Sequence, residues 1–402
     1  MNILVSVKEI PEYLKNSELY NILVENENDE SFNIPIEYYK KEIIINTFDE
    51  LIFYIRILDY WMVIKTPNEI YKYVLDNKNL IDMDLLNTNF NNSNILNEIN
   101  VIIKSNDDTV CTNITSKGFL ECLKYLHENG YKWDNRTTSN AAYGGYLECL
   151  KYAHENGCTW DISTCNFAAL KGHLDCLKYA HENKCPWDIS TSCTTIINGH
   201  LDCLKYTHEN GCTWDSNICY CAVVQNQLEC LKYAHENGCP WEINIISTAS
   251  FKGHLDCLKY IYENGCPWNE NTCLNAAKYG HLECLKYAHE NGCMWDENIC
   301  SSAAKYGHLE CLKYAHENGC MWDENICSSA AVNGHLECLK YAHENGCVWD
   351  KLTCYYAVYN GHLECLKYAH ENGCPWDNTE IIDYARYTKD LECLKYINDN
   401  LL

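Results

Sequence analysis

Residues 297–323 read "ENICSSAAKYGHLECLKYAHENGCMWD", and close copies of this stretch fill about three-quarters of the chain. Small and apolar side chains recur in it three and four positions apart, in two short runs separated by Gly307. That is the period of a helix face, so the stretch predicts two helices, over about Asn298–Tyr306 and Leu309–Asn318. Gly319 stops the second in the left-handed conformation that ends many helices. Both are shorter than the roughly 12–15 residues an isolated helix needs, so each must be held by neighbouring copies, at least about three of them.

The period is strict. The cysteine of Leu-Glu-Cys or Leu-Asp-Cys returns every 27 residues from Cys122 to Cys365, with Cys393 one residue late, and ten tryptophans keep the same step from Trp133 to Trp376. Residues 277–303 and 304–330 are identical, which points to a late duplication. Two copies replace a turn glycine. Asn226 stands at a first-helix turn and Lys184 at a second-helix end, where a positive φ costs lysine roughly 1–2 kcal/mol.

The register "AAKYGHLECLKYAHENGCMWD" resembles the core of an ankyrin repeat. Ala303 and Ala304 match the family's double alanine, Gly307-His308-Leu309-Glu310 its turn, Cys311 and Leu312 its two valines, Gly319-Cys320 its Gly-Ala, and Trp322-Asp323 its Val-Asn. The family unit has 33 residues. The six missing here fall after Asp323, where ankyrin repeats carry a β-hairpin finger and a Thr-Pro-Leu-His opening. The resemblance implies an all-α, ankyrin-like helix-turn-helix solenoid of about 10–11 repeats lacking long hairpin fingers. It also implies a non-enzymatic scaffold that binds a protein on its concave face. Asn- and Ile-rich chains with this shortened unit are similar to those encoded by giant DNA viruses of amoebae, which would place the protein in host cytoplasm.

Composition excludes several classes. A formal charge of −25 and a pI near 5.0 oppose phosphate binding, since nucleic-acid affinity rests on Lys and Arg. The apolar region "IIINTFDELIFYIRILDYWMVI" carries Asp49, Glu50, Arg56 and Asp59, which argues against a membrane span, and Met1 is not followed by a signal-peptide pattern. The expectation is an intracellular monomer without cofactor. Catalysis needs a few unlike groups in one place, whereas this chain supplies the same groups everywhere, and it has no phosphate loop, nucleophile elbow or zinc-protease helix.

Twenty-nine cysteines are an odd number in a long chain without an export signal, so reduced thiols are expected. All but Cys193 and Cys221 fall in three registers that coincide with apolar core positions, where free cysteine acts as a small hydrophobe. A Cys/His metal store is the alternative. Geometry opposes it, because equivalent residues on stacked helices lie about 8–10 Å apart while sulfurs sharing zinc must lie within about 4 Å. The sixteen histidines occupy two places. Those of "GH" should bond to backbone in the turn, and those of "HEN" should pack in a polar niche between units. The tryptophans should form a ladder of indoles along the edge of the helical layers, with an exposed binding ladder as the alternative. Glu310, Glu317 and Asp323, set against Lys313, read as a solvated acidic face.

Variation is concentrated in the two residues before the first-helix turn: Leu170-Lys171, Ile197-Asn198, Phe251-Lys252, Lys278-Tyr279, Val332-Asn333 and Tyr359-Asn360. In the ankyrin family these ends face the concave binding surface, which makes them the candidate partner-binding residues. Residues 1–105 lack the repeat and form a separate, mostly helical N-terminal region, followed by a solenoid over 106–402 with a capping unit at 378–402. Within the N-terminal region, residues 48–77 resemble the second half of BTB or Skp1-type domains. That likeness implies the alternative of a cullin-type ubiquitin-ligase adaptor whose repeats select the target.

Overall fold

The computed structural model describes residues 68–81, 94–322 and 325–400, together with positions 48, 51, 52 and 55. Among these residues it has 24 α-helices and no strand. The chain divides into two compact units, Met1–Pro186 and Trp187–Leu402.

In the first unit, three helix pairs run from Val110–Thr115 with Leu120–Glu128 to Ile162–Lys171 with Leu174–Glu182. The helices Asn68–Asp76 and Asn94–Lys104 pack onto the first pair, burying Ile70, Val74, Ile95, Ile99 and Ile102. Tyr71 is buried there, its ring 5.6 Å from that of Tyr125 and its hydroxyl donating to Glu98 at 2.6 Å. Apart from Asn68–Asp76 and the isolated positions, the stretch 48–77 that carries the BTB or Skp1 likeness lies outside the described residues.

In the second unit, eight pairs run from Ile189–Ile197 with Leu201–Glu209 to Asn378–Thr388 with Leu391–Asp399. The reference pair is Asn298–Lys305 and Leu309–Glu317, each one residue shorter than the sequence suggests because Tyr306 and Asn318 serve as C-caps. Within each unit first helices stack on first helices and second on second. The core between the layers is made of alanine, cysteine and leucine: Ala303, Ala304, Cys311, Leu312 and Ala315 are all at most 1% exposed. Small side chains on the first helix let the layers approach closely, and a leucine from the second fills the space left between them.

Local chemistry terminates each helix. Asp134, Asp161, Asp188, Asp215 and Asp350 precede first helices and accept a hydrogen bond from the backbone N–H two residues on, at 2.8–3.0 Å. The aspartate after the tryptophan therefore serves as an N-cap, a role the acidic-face reading misses. Asp323 itself is outside the described residues. At the other end, the Cys320 N–H reaches the Ala315 carbonyl at 2.9 Å and the Gly319 N–H that of His316 at 3.0 Å, a Schellman closure. The first-helix turn repeats it, with His308 N–H on Ala303 at 2.9 Å and Gly307 N–H on Ala304 at 3.3 Å.

Glycine is needed at these two turns for different reasons. Gly319 has φ +87° and open space around it, so only its backbone conformation excludes a side chain. Gly307 has φ +77°, and a Cβ there would also lie 2.5 Å from Nδ1 of His335 in the next repeat. The lone Lys184 and Asn226 keep the left-handed conformation of the glycines they replace, at φ 67° and 56°, and Lys389 adopts it near the C-terminal end at 58°.

Candidate functional site

The recurring side chains build one edge of the repeats. His289 lies flat on Trp295 of its own repeat, ring centroids 3.6 Å apart and 9° from parallel, while its Nδ1 is 3.1 Å from the Tyr314 hydroxyl of the following repeat. Trp295 meets the same tyrosine edge-on at 6.1 Å. The arrangement recurs at His127–Trp133–Tyr152 and His343–Trp349–Tyr368. The expected polar niche is thus an aromatic one: the imidazole contributes a stacking face as well as a polar atom, because the indole beside it offers no hydrogen-bond partner in that direction. The indoles do not stack on one another. Each is half-buried, and a tyrosine and a histidine separate one from the next at every step but that from Trp241 to Trp268. Where Tyr262 replaces the histidine, its ring stacks on Trp268 at 4.2 Å and its hydroxyl donates to the Asn291 carbonyl at 3.2 Å, so the stack outlasts the imidazole.

The other histidines bond to backbone as their position suggests, but to the preceding repeat. Nε2 of His281 is 3.0 Å from the Phe251 carbonyl, and that of His362 is 3.1 Å from the Val332 carbonyl. Burial lowers the pKa of His254, His308 and His335. Tyr146, Gln227 and Asp390 take the same place over Gly118, Gly199 and Gly361.

The thiols are packing groups. Desolvation raises Cys284, Cys338 and Cys365 to about 11, and Cys149, Cys176 and Cys311 to about 12, so they stay protonated and uncharged near neutrality. The loop cysteines donate to a carbonyl of the preceding repeat, Cys158 to Asp134 and Cys239 to Asp215, both at 3.1 Å. All cysteines are free, and among the described residues no three of His, Cys, Asp and Glu converge as a metal ion would require.

The variable residues behave differently. None of the twelve is buried; Ile197 is 42% exposed, Tyr279 40% and Tyr359 49%. The structure brings some of them together. Phe251 and Tyr279 meet edge-on at 4.5 Å; the Lys252 amine lies 5.2 Å from the Phe251 ring centroid, and Lys278 lies 5.3 Å from those of both Tyr279 and Tyr306. Lys305 lies 5.8 Å from Tyr306. Lys305 and Tyr306 are missing from the twelve expected residues, although the identity of 277–303 with 304–330 marks them as a second Lys278-Tyr279. In the first unit Lys171 covers the ring of Tyr143 at 4.6 Å, with Leu170 beside it. Tyr359 joins a second cluster, 6.5 Å from Tyr384 and 6.3 Å from Tyr387. Asn333 and Asn360 instead turn back on their own helices, onto the carbonyls of Ser329 and Tyr356. Ile197 and Asn198 are exposed and Val332 is half-buried.

This geometry defines a helical repeat protein whose recurring side chains complete one another. Residues 246–289 and 327–370, each spanning two helix pairs, match the family model described as ankyrin repeats (many copies). The chain thus carries ankyrin repeats in these stretches, and such repeats indicate a protein–protein interaction scaffold. A search of solved structures finds the crystal structure of the human ASB11 ankyrin repeat domain, at 18% identity and TM-score 0.36, covering 40% of this chain and 86% of that one. No curated protein matches the chain. Among the described residues no helix is long and apolar enough to cross a membrane.

Proposed function

We propose that the chain is a non-enzymatic scaffold whose protein partner lies across the C-terminal ends of the first helices. The carrying observation is that the exposed Lys252 and Tyr279 and the half-buried Phe251 and Lys278 stand where otherwise near-identical repeats differ. Recurring residues are consumed by stacking. Varying, exposed aromatics are free to supply the anchors that dominate protein interfaces. Affinity capture with the full chain, and with a Phe251→Ser, Tyr279→Ser, Tyr306→Ser variant of unchanged circular dichroism, tests the reading. A captured protein lost by the variant supports it; equal recovery by both baits would move the interface elsewhere.

A further inference from the structure

The strip formed by Phe251, Lys252, Lys278, Tyr279, Lys305 and Tyr306 has a charge and spacing that select a partner class, an inference that rests on the proposed binding role of these helix ends. The chain carries a net charge of −25, yet the three helices supplying the strip, Ile245–Lys252, Asn271–Tyr279 and Asn298–Lys305, contain no carboxylate. Each carries a lysine in its last turn beside an aromatic ring. The acids that open the following second helices, Glu283 and Glu310, are paired with Lys286 and Lys313 at 3.0 and 2.9 Å. Asp256 holds the same register, but Lys259 after it lies over the Tyr287 ring. Helix dipoles favour terminal lysines. They do not explain this pattern, because the second helices of the same repeats all end in glutamate, after Tyr262 in one and after histidine in the other two.

Spacing adds the second constraint. Stacked helices repeat at about 8–10 Å, so the ammonium groups of Lys278 and Lys305, which hold the same place two residues before the turn glycine, follow one another at about that interval, and Lys252 stands one residue later in its own repeat, about 1.5 Å further along the helix. A polyproline II segment has three residues per turn and rises about 3.1 Å per residue, so every third side chain points the same way at about 9 Å intervals. Aromatic-lined surfaces suit the preformed apolar faces of such segments. We infer that this strip binds an extended, polyproline II-like segment of a partner protein bearing Glu or Asp at every third position. The carboxylates would pair with Lys252, Lys278 and Lys305, while the residues between them lie on Phe251, Tyr279 and Tyr306.

The test titrates a fluorescein-labelled (Glu-Pro-Pro)4 peptide with the full chain, followed by anisotropy. Near-physiological ionic strength is used, where a screening length of about 8 Å limits repulsion from the remaining acidic surface. The comparison peptide has the same composition with its glutamates in one block. The expected result is at least about tenfold tighter binding of the periodic peptide, lost by at least about tenfold in Lys252→Gln, Lys278→Gln, Lys305→Gln and retained in Lys286→Gln, Lys313→Gln. Equal affinity for the two peptides, equal loss in both variants, or no binding overturns the inference. The same two variants used as capture baits separate this failure from that of the proposed function. A partner lost by the strip variant while the peptide does not bind keeps the scaffold reading and rejects the acidic class; a partner held equally by both variants leaves only the acidic inference rejected; and a partner untouched by both this variant and the aromatic one rejects the two together.

Discussion

The two aromatic surfaces of the repeats differ in what their rings touch. Along the second-helix edge, Trp295 is stacked by His289 and met by Tyr314, and the histidine Nδ1 lies within hydrogen-bond distance of the tyrosine hydroxyl. At the first-helix ends, Tyr279 and Tyr306 are about 40% exposed, with lysine amines over their faces and open space beyond. The first surface has the higher aromatic density, yet its rings are already spent on holding one repeat to the next. Aromatic content alone is therefore a poor guide to a binding site in a repeat protein; what separates the two surfaces is whether the contacts recur with the repeat.

The comparison can be broken at several strengths. Leu312→Ala empties a fully buried site between the helical layers and is expected to cost about 2–5 kcal/mol. Because repeat arrays can unfold in parts, native-state hydrogen exchange in the surrounding repeats is the measurement, with loss of protection spreading to neighbours. Gly280→Ala comes next. Its φ of +76° and the His308 ring 2.5 Å from the new Cβ should together cost about 2–3 kcal/mol, read from urea unfolding midpoints; a cost under about 1 kcal/mol would show that the imidazole yields freely.

Acid should act through the same histidines. Burial depresses the folded pKa of His308 and His335, so folding favours their neutral forms; that stability is present above the unfolded value of about 6.5 and is lost as pH falls through the lower folded value. The melting temperature should therefore drop between about pH 7 and about pH 5. His308→Gln, which copies the natural Gln227, should reduce the drop, and an unchanged slope would assign it to other groups. The smallest effect belongs to the variable surface, where Asn333→Lys should move stability by no more than about 0.5 kcal/mol in chemical denaturation. A larger loss would mean that the helix ends are structural after all.

Much of the fold was legible because a 27-residue period repeats its own evidence. Two apolar runs around Gly307 indicate two helices, and alanine, cysteine and leucine at fixed places indicate the face that is buried. Contacts between repeats were less legible. His316 and Tyr341 lie 25 residues apart and meet at 3.1 Å only because the second helices stack in register, and no local pattern announces that pairing. The aspartate caps could have been read from the Trp-Asp step just ahead of Ser163 and Ser190, since an acceptor before a helical run is a start signal. Lys305 and Tyr306 could have been added to the candidate surface from the duplication alone.

The sequence by itself determined the repeat, its helix pairs, the residues packed between them and the positions that vary, because hydrophobic period and turn chemistry are local properties. Only the tertiary structure decided which side chains are used up and which remain available. Whether an aromatic ring is stacked or open depends on the neighbouring repeat, 27 residues away in the chain and one helix spacing away in space.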